Sequence, residues 1–206
     1  MQIDDDALPV RIAEGLAIAA VFICLLVGCG SSRSKPIVVS TFGSIGTLRL
    51  DTSSAHAIRV AIGRPDAVRT GSEFGSGRYR ALGYDCTSRK RNARWPLLER
   101  GPYCLTVFFV NDRTGKLGSF YTASRRYVEA HGVRIGITTA AAERLLHRVV
   151  HVGCEQNLYF SSRRADLTIA FDGGMMIKPS LRLRGGHVRA FALHSHLNDV
   201  GVFDCL

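Results

Sequence analysis

The chain is poor in three features that commonly point to a function. No apolar run reaches the roughly 20 residues that a membrane-spanning helix needs. The longest, Leu16 to Val27, stops well short of that, which argues against a permanent span. Lysine is scarce: Lys35, Lys90, Lys116 and Lys178 are the only ones, so the formal net charge of +10 is carried almost wholly by arginine. Motifs with chemistry attached are missing as well. There is no Gly-x-Ser-x-Gly elbow, no His-Glu-x-x-His helix and no phosphate-binding loop. Catalysis by those routes is excluded, and no cofactor is implied.

What is present begins at the end of the apolar run. Leu26-Val27-Gly28-Cys29 resembles the lipobox of bacterial lipoproteins, in which a long apolar residue stands three before a cysteine and a small residue immediately precedes it. The thiol takes the diacylglyceryl group, and the small residue opens the bond to the peptidase. The resemblance implies a signal peptide over residues 1–28, a lipid on Cys29 and a body anchored to the cell membrane, facing away from the cytoplasm. The small polar stretch Gly30-Ser31-Ser32 suits a tether, and residues 29–44 are expected to stay loosely packed. One departure is the acidic front, where Asp4, Asp5, Asp6 and Glu14 face only Arg11. A signal peptide wants positive charge there, and initiation at Val10 would supply it.

Loss of residues 1–28 removes one arginine and four acids, a net of −3, so the formal charge rises from +10 to +13. A body of that charge favours anionic surfaces: phospholipid head groups, wall polymers or acidic proteins, with nucleic acid resting on charge alone. Arginine-rich composition also follows from GC-rich coding. Of the six cysteines, Cys24 lies in the leader and Cys29 would be lipidated. Cys86, Cys104, Cys154 and Cys205 remain, an even set suited to an oxidising compartment. Three connectivities are possible. Cys86 with Cys104 and Cys154 with Cys205 is the favoured one, because each pair then closes within one half of an internal repeat.

That repeat is read from three blocks. Leu48 to Arg59 aligns without gaps on Val133 to Arg144, with four of twelve positions identical and four more conservative. Leu105 to Phe109 matches Leu167 to Phe171, and Gly115-Lys116-Leu117 with Phe120 matches Gly186-His187-Val188 with Phe191. Three blocks in the same order indicate a duplication, giving halves at 45–130 and 131–206. Leu48 to Leu50 and Val133 to Ile135 alternate as half-buried strands. Ser53-Ser54 and Thr138-Thr139 supply helix N-caps. The helices are expected to bury Ala57, Val60 and Ala61 in one half and Ala142, Leu145, Leu146 and Val149 in the other. Gly63-Arg64-Pro65 stops the first helix. Strands follow at Tyr79 to Cys86, Cys104 to Val110 and Leu117 to Thr122, with a hairpin turn from Asn111 to Gly115. In the second half they fall at Asn157 to Ser161, Leu167 to Phe171 and Val188 to His194. The expected class is α+β: two tandem strand, helix and antiparallel-meander repeats, with helices packed on one face of an antiparallel sheet.

The strand, Ser/Thr turn and helix ending in Ile62-Gly63-Arg64-Pro65, followed by a Tyr-bearing strand, resemble the BamE/SmpA type of small lipoprotein. The doubled form resembles the β-lactamase inhibitory protein-like fold. Asp51 departs from the family's usual Gly, and Arg148 stands where the second helix stop would begin. The resemblance implies a non-catalytic tethered module that binds a protein or another envelope component.

Candidate sites are few. His147 and His151 lie at helical spacing with Cys154 close behind, a geometry able to face zinc, but a basic helix end with a disulfide cysteine is the better account of them, and no metal site is assigned. His194 and His196 flank Ser195 on one strand face. Gly71 to Gly77 reads as a loop without a phosphate-binding context. The best binding candidate is the loop closed by Cys86 and Cys104, which carries Arg89, Lys90, Arg91, Arg94 and the only tryptophan, Trp95. Arginine and tryptophan dominate interface energetics, and a stapled loop is ordered in advance. The expected function is therefore a non-catalytic envelope lipoprotein binding a protein or anionic envelope component. The competing readings are a secreted enzyme, which needs polar groups converging in a pocket, and a nucleic-acid-binding surface protein.

Overall fold

In a computed structural model of the protein, residues 35–72, 78–89, 95–96, 102–148, 157–177 and 182–198 are described. The chain divides into Met1–Lys35 and Pro36–Leu206, and the architecture is that of the second unit. Its strands are β1 (Ile37–Ser40), β2 (Ser44–Ile45), β3 (Leu48–Arg49), β4 (Ala67–Ser72), β5 (Arg78–Thr87), β6 (Trp95–Pro96), β7 (Tyr103–Asn111), β8 (Leu117–Thr122), β9 (Tyr127–Glu129), β10 (Asn157–Ser161), β11 (Ala165–Ile177) and β12 (Arg182–Ser195). Among the described residues two helices, α1 (Ala55–Ile62) and α2 (Thr139–Leu146), interrupt them.

The larger sheet runs β10-β11-β12-β8-β7-β5-β4, with β6 paired onto β7. All its pairings are antiparallel. The halves meet where β12 pairs β8, Leu193 opposite Phe120 and His194 opposite Ser119. The smaller sheet has the order β3-β2-β1-β9. Its β1 runs parallel to β9, Val38 opposite Val128, and so ties the stretch ahead of Ile45 to the end of the first half.

Between these layers lies the principal core. Val39, Ile45, Leu48 and Tyr127 of the small sheet, Ile58 of α1 and Ala142 of α2 meet Leu82, Phe108, Phe120, Phe171 and Phe191 of the large one. Aromatic rings chain through it, with Phe108 to Phe120 centroids 4.9 Å apart and Phe120 to Tyr127 5.2 Å, within the range at which ring pairs add to area burial. A second cluster, including Tyr79, Ala81, Val107, Phe109, Tyr121 and Ala192, belongs to the opposite face. No described helix is long and apolar enough to cross a membrane.

The expected α+β class is overturned: the protein is mostly β, built from two sheets. Each helix has eight residues, about 12 Å of axis, too little to cover a sheet. Only Ile58 of α1 is buried, against Thr139, Ala142 and Leu146 of α2. The rest of that face is covered by the small sheet, whose first strand lies in the stretch assigned to the tether. Val39 there is fully buried, so ordered chain begins ahead of Ile45. The expected helix faces are corrected too. Val60 is 74% exposed, and Ala61 and Leu145 are exposed too; the inward stripe of α1 is Ala55, Ile58 and Ile62, with the expected Ala57 packed beside it. Val149 lies outside the described residues.

The matched blocks occupy equivalent backbone positions. Asp51 N–H donates to Leu117 O at 2.8 Å, and Gly136 N–H donates to Val188 O at 2.7 Å. Ser54, the N-cap of α1, bridges Lys116, and Thr138, the N-cap of α2, bridges His187. Gly115 and Gly186 both have positive φ, 67° and 76°. The first half carries one more residue in its turn: Leu117 N–H bonds to Ser53 O, whereas Val188 N–H bonds to Ile137 O. Helix stops differ as well. Gly63 caps α1, while His147 caps α2 in a left-handed conformation.

Candidate functional site

A cleft of about 420 Å³ opens where the first half's turns meet the end of the second half. One wall is the β1–β2 turn. Gly43 closes it with φ 85° and an N–H donated to Ser40 O at 3.0 Å, and a Cβ there would sit 3.5 Å from Ala165 Cβ. This tight turn pushes Phe42 outward, leaving it 80% exposed.

Asp51 forms the floor. Its φ of 62° is a left-handed conformation that costs most side chains about 1–2 kcal/mol, with Asp among the tolerant types. Its counterpart Gly136 has φ 91°, so the backbone rather than the side chain sets the demand at both places. The carboxylate has a use that glycine could not supply. Its Oδ1 accepts from the Ser195 hydroxyl and from Asn198 Nδ2, the latter at 2.6 Å. Asn198 Oδ1 in turn accepts from Thr114 Oγ1 at 2.9 Å. Ser195 Oγ accepts from the N–H groups of Leu197 and Asn198, at 2.9 and 3.0 Å, which folds the end of β12 back and places Leu197 at the cleft, 77% exposed.

Arg49 and Arg164 supply the charge. Arg49 sits on β3 with its N–H held by Ser53 Oγ at 2.9 Å. Arg164 lies in the β10–β11 turn, where Ser162 Oγ accepts from the N–H of Ala165 at 3.1 Å and His196 N–H bonds to Arg164 O at 3.1 Å. Both line the cleft. Among the described residues neither guanidinium has a hydrogen-bond or ion-pair partner. With Asp51 included, the cleft keeps one net positive charge beside two exposed apolar side chains, an arrangement suited to an anion that carries an apolar portion.

The residues singled out in the sequence are partly brought together. Cys86 and Cys104 form a disulfide, S–S 2.08 Å, as expected, and Trp95 pairs with Cys104 across β6 and β7. Arg89 is exposed at the start of that loop. Lys90, Arg91 and Arg94 lie outside the described residues, as do Leu26, Val27, Gly28, Cys29, Cys154 and Cys205. His147 ends its helix rather than standing inside it, so it begins no helical face with His151, itself outside the described residues.

His194 and His196 meet an unforeseen neighbour, Asp166. His194 is opposite Asp166 on β11 and opposite Ser119 on β8, and His196 Nε2 lies 2.9 Å from Asp166 Oδ2. Burial alone would raise the Asp166 pKa, but hydrogen bonds from Ser161 and His196 and the charges of His196 and His194 outweigh it and hold it below the ordinary value. The row does not form a nucleophile relay, because Ser119 Oγ is buried with no hydrogen-bond partner among the described residues. Among the described residues no three His, Cys, Asp or Glu side chains gather to hold a metal.

Sequence reasoning missed Phe42, Arg164 and Leu197 and saw Arg49 only as a strand residue. The one available signal was Asp51 in place of Gly at a duplicated turn.

No family model matches the chain, and no curated protein matches it. Among solved structures it is similar to the crystal structure of the uncharacterized protein yfeY from Escherichia coli. The identity is 15%, over 76% of this chain and 98% of that chain, with a TM-score of 0.43.

Proposed function

We propose that the protein is a non-catalytic envelope lipoprotein, held to the membrane through Cys29, whose cleft binds an anionic amphiphile of the envelope. The observation that carries this reading is the pair of guanidiniums, Arg49 and Arg164, that have no partner among the described residues and lie beside the exposed Phe42 and Leu197. Long apolar side chains left in solvent next to unpaired cations match a ligand with both an acidic head and a hydrocarbon part. The resemblance to a lipobox and to BamE-type lipoproteins favours the same setting, and the charge of +10 favours an acidic ligand. Of the acidic envelope components, an anionic phospholipid carries both features in one molecule. The Arg89 to Trp95 loop is a second contact in this proposal, ordered at its base by the Cys86–Cys104 disulfide.

Two measurements test it. In a lipid-modifying bacterial host, Cys29→Ala should move the protein from the membrane to the soluble fraction; retention after a high-salt wash would remove the anchor. With purified protein, calorimetric titration should detect short-chain phosphatidylglycerol and not phosphatidylcholine of equal chain length. Equal affinity for both head groups would refute a cationic cleft.

A further inference from the structure

The geometry points to a second binding surface, independent of the cleft: the outer edge of β4 takes an added strand from an acidic, extended segment of another protein. The strand terminates the large sheet, pairing with β5 from Ala67 opposite Gly83 to Ser72 opposite Arg78. No described strand pairs with its other side. Six residues of such an edge present about 20 Å of unpaired backbone donors and acceptors.

Natural sheets blunt such edges with charge, proline or a covering element. Here β4 contains no proline and one charge, Arg69. The surface beside it is built for contact rather than protection. A shallow notch of about 570 Å³ lies between the end of α1 and the start of β4, lined by Arg59, Arg64 and Val68 among others. Val68 is 41% exposed, and Val60 on the same helix end is 74% exposed. Neither Arg59 nor Arg64 has an ion-pair partner among the described residues. Asp66, the acid lining the notch, is engaged by its Oδ2, which accepts from Cys86 N–H at 3.1 Å.

Charge selects the partner. A second copy of this chain, itself at +10, would set two basic edges side by side in antiparallel pairing, with Arg69 of each copy near the two-fold axis, and facing like charges destabilise a strand pair. A strand whose one face carries acidic and apolar residues in turn, two residues apart, instead sets carboxylates over Arg59 and Arg64 and apolar side chains on Val68, which line the same notch, while its backbone completes the ladder.

The test uses the full chain and a capped peptide of repeated Glu-Thr-Val-Thr, which sets glutamate and valine in turn along one face. Two N-methylated forms of the peptide carry the methyl groups on one hydrogen-bonding edge or on the other. Strand addition requires that the unmodified peptide bind, that one N-methylated form lose binding and that the other keep it. Reversing both charges, Arg59→Glu with Arg64→Glu, on exposed positions, should weaken the peptide by about tenfold, as expected for rim charges. Absence of peptide binding overturns the proposal. So does equal binding of both N-methylated forms, which would mean unspecific charge attraction. A concentration-dependent dimer in sedimentation, abolished by the double reversal, would assign the edge to a second copy and also overturn it.

Discussion

The hydroxyl of Ser195 donates to the carboxylate of Asp51 across 144 residues of sequence, and this contact fixes the end of β12 in the second half to the turn between β3 and α1 in the first. Asn198 adds a second donor to the same oxygen. The cleft exists because these bonds hold Leu197 and the β1–β2 turn beside one another.

This network makes an unusual demand on residue 51. At most positions alanine is less disruptive than glycine, but here the backbone is left-handed. Asp51→Gly should lose the hydrogen bonds alone, whereas Asp51→Ala should lose them and add about 1–2 kcal/mol of backbone cost. Thermal denaturation should rank the stabilities as wild type, then Asp51→Gly, then Asp51→Ala. The reverse order of the two variants would refute the strained turn.

Acid should weaken the protein through Asp166. Its pKa is lowered in the folded state, so its contribution is fully present above the unfolded carboxylate value of about 3.9 and is lost as pH falls through the lower folded value. Denaturant titrations of Asp166→Asn should show a shallower loss of stability below about pH 4 than the parent. Identical acid limbs would show that the contact with His196 adds nothing.

Alkali should act through two buried tyrosines. Desolvation pushes Tyr121 and Tyr127 up to about 12, with the positive charges of Arg189 and Arg126 acting weakly against it. A raised folded pKa means stability is complete below the unfolded value of about 10 and declines as pH rises toward 12. Tyr121→Phe should flatten that decline. Titration of all tyrosines near pH 10 without unfolding would contradict their burial.

The disulfide closes a loop of sequence separation 18, for which chain entropy gives about 3 kcal/mol. Removing it by Cys86→Ala with Cys104→Ala should lower stability by roughly that amount and loosen the Arg89 to Trp95 loop. Hydrogen exchange across that loop, compared with the parent, would check the second part; unchanged protection would show that the staple does not order it.

The sequence made local features legible where local chemistry decides them. Ser54 and Thr138 cap their helices, Gly63 stops α1, and Asn111 accepts from the N–H groups of Arg113 and Thr114 to shape the hairpin turn. What it hid depends on distant partners. Ile37 to Ser40 reads as tether because its parallel neighbour is Tyr127 to Glu129, and no short-range pattern signals such a pairing. Three-to-four spacing counted from Ala57 turned Val60 inward, but a two-turn helix has room for one stripe, and Ile58 occupies it. With β1 and β9 unseen, the small sheet was missed and the helices were given a face they do not cover. The cleft was invisible for the same reason: Phe42, Arg49, Arg164 and Leu197 come from separate turns and strands and are assembled by the fold.

The most direct test of the central claim is the affinity for short-chain phosphatidylglycerol of the parent protein and of Arg49→Ser with Arg164→Ser, measured over a range of salt. Both positions are exposed, so the double variant should fold normally. Each charge-assisted contact is worth about 1.5–3 kcal/mol, so binding should fall by at least roughly a hundredfold, and the salt dependence should flatten. Unchanged affinity and an unchanged salt slope would show that the two arginines do not meet the ligand, and the cleft would lose its assignment.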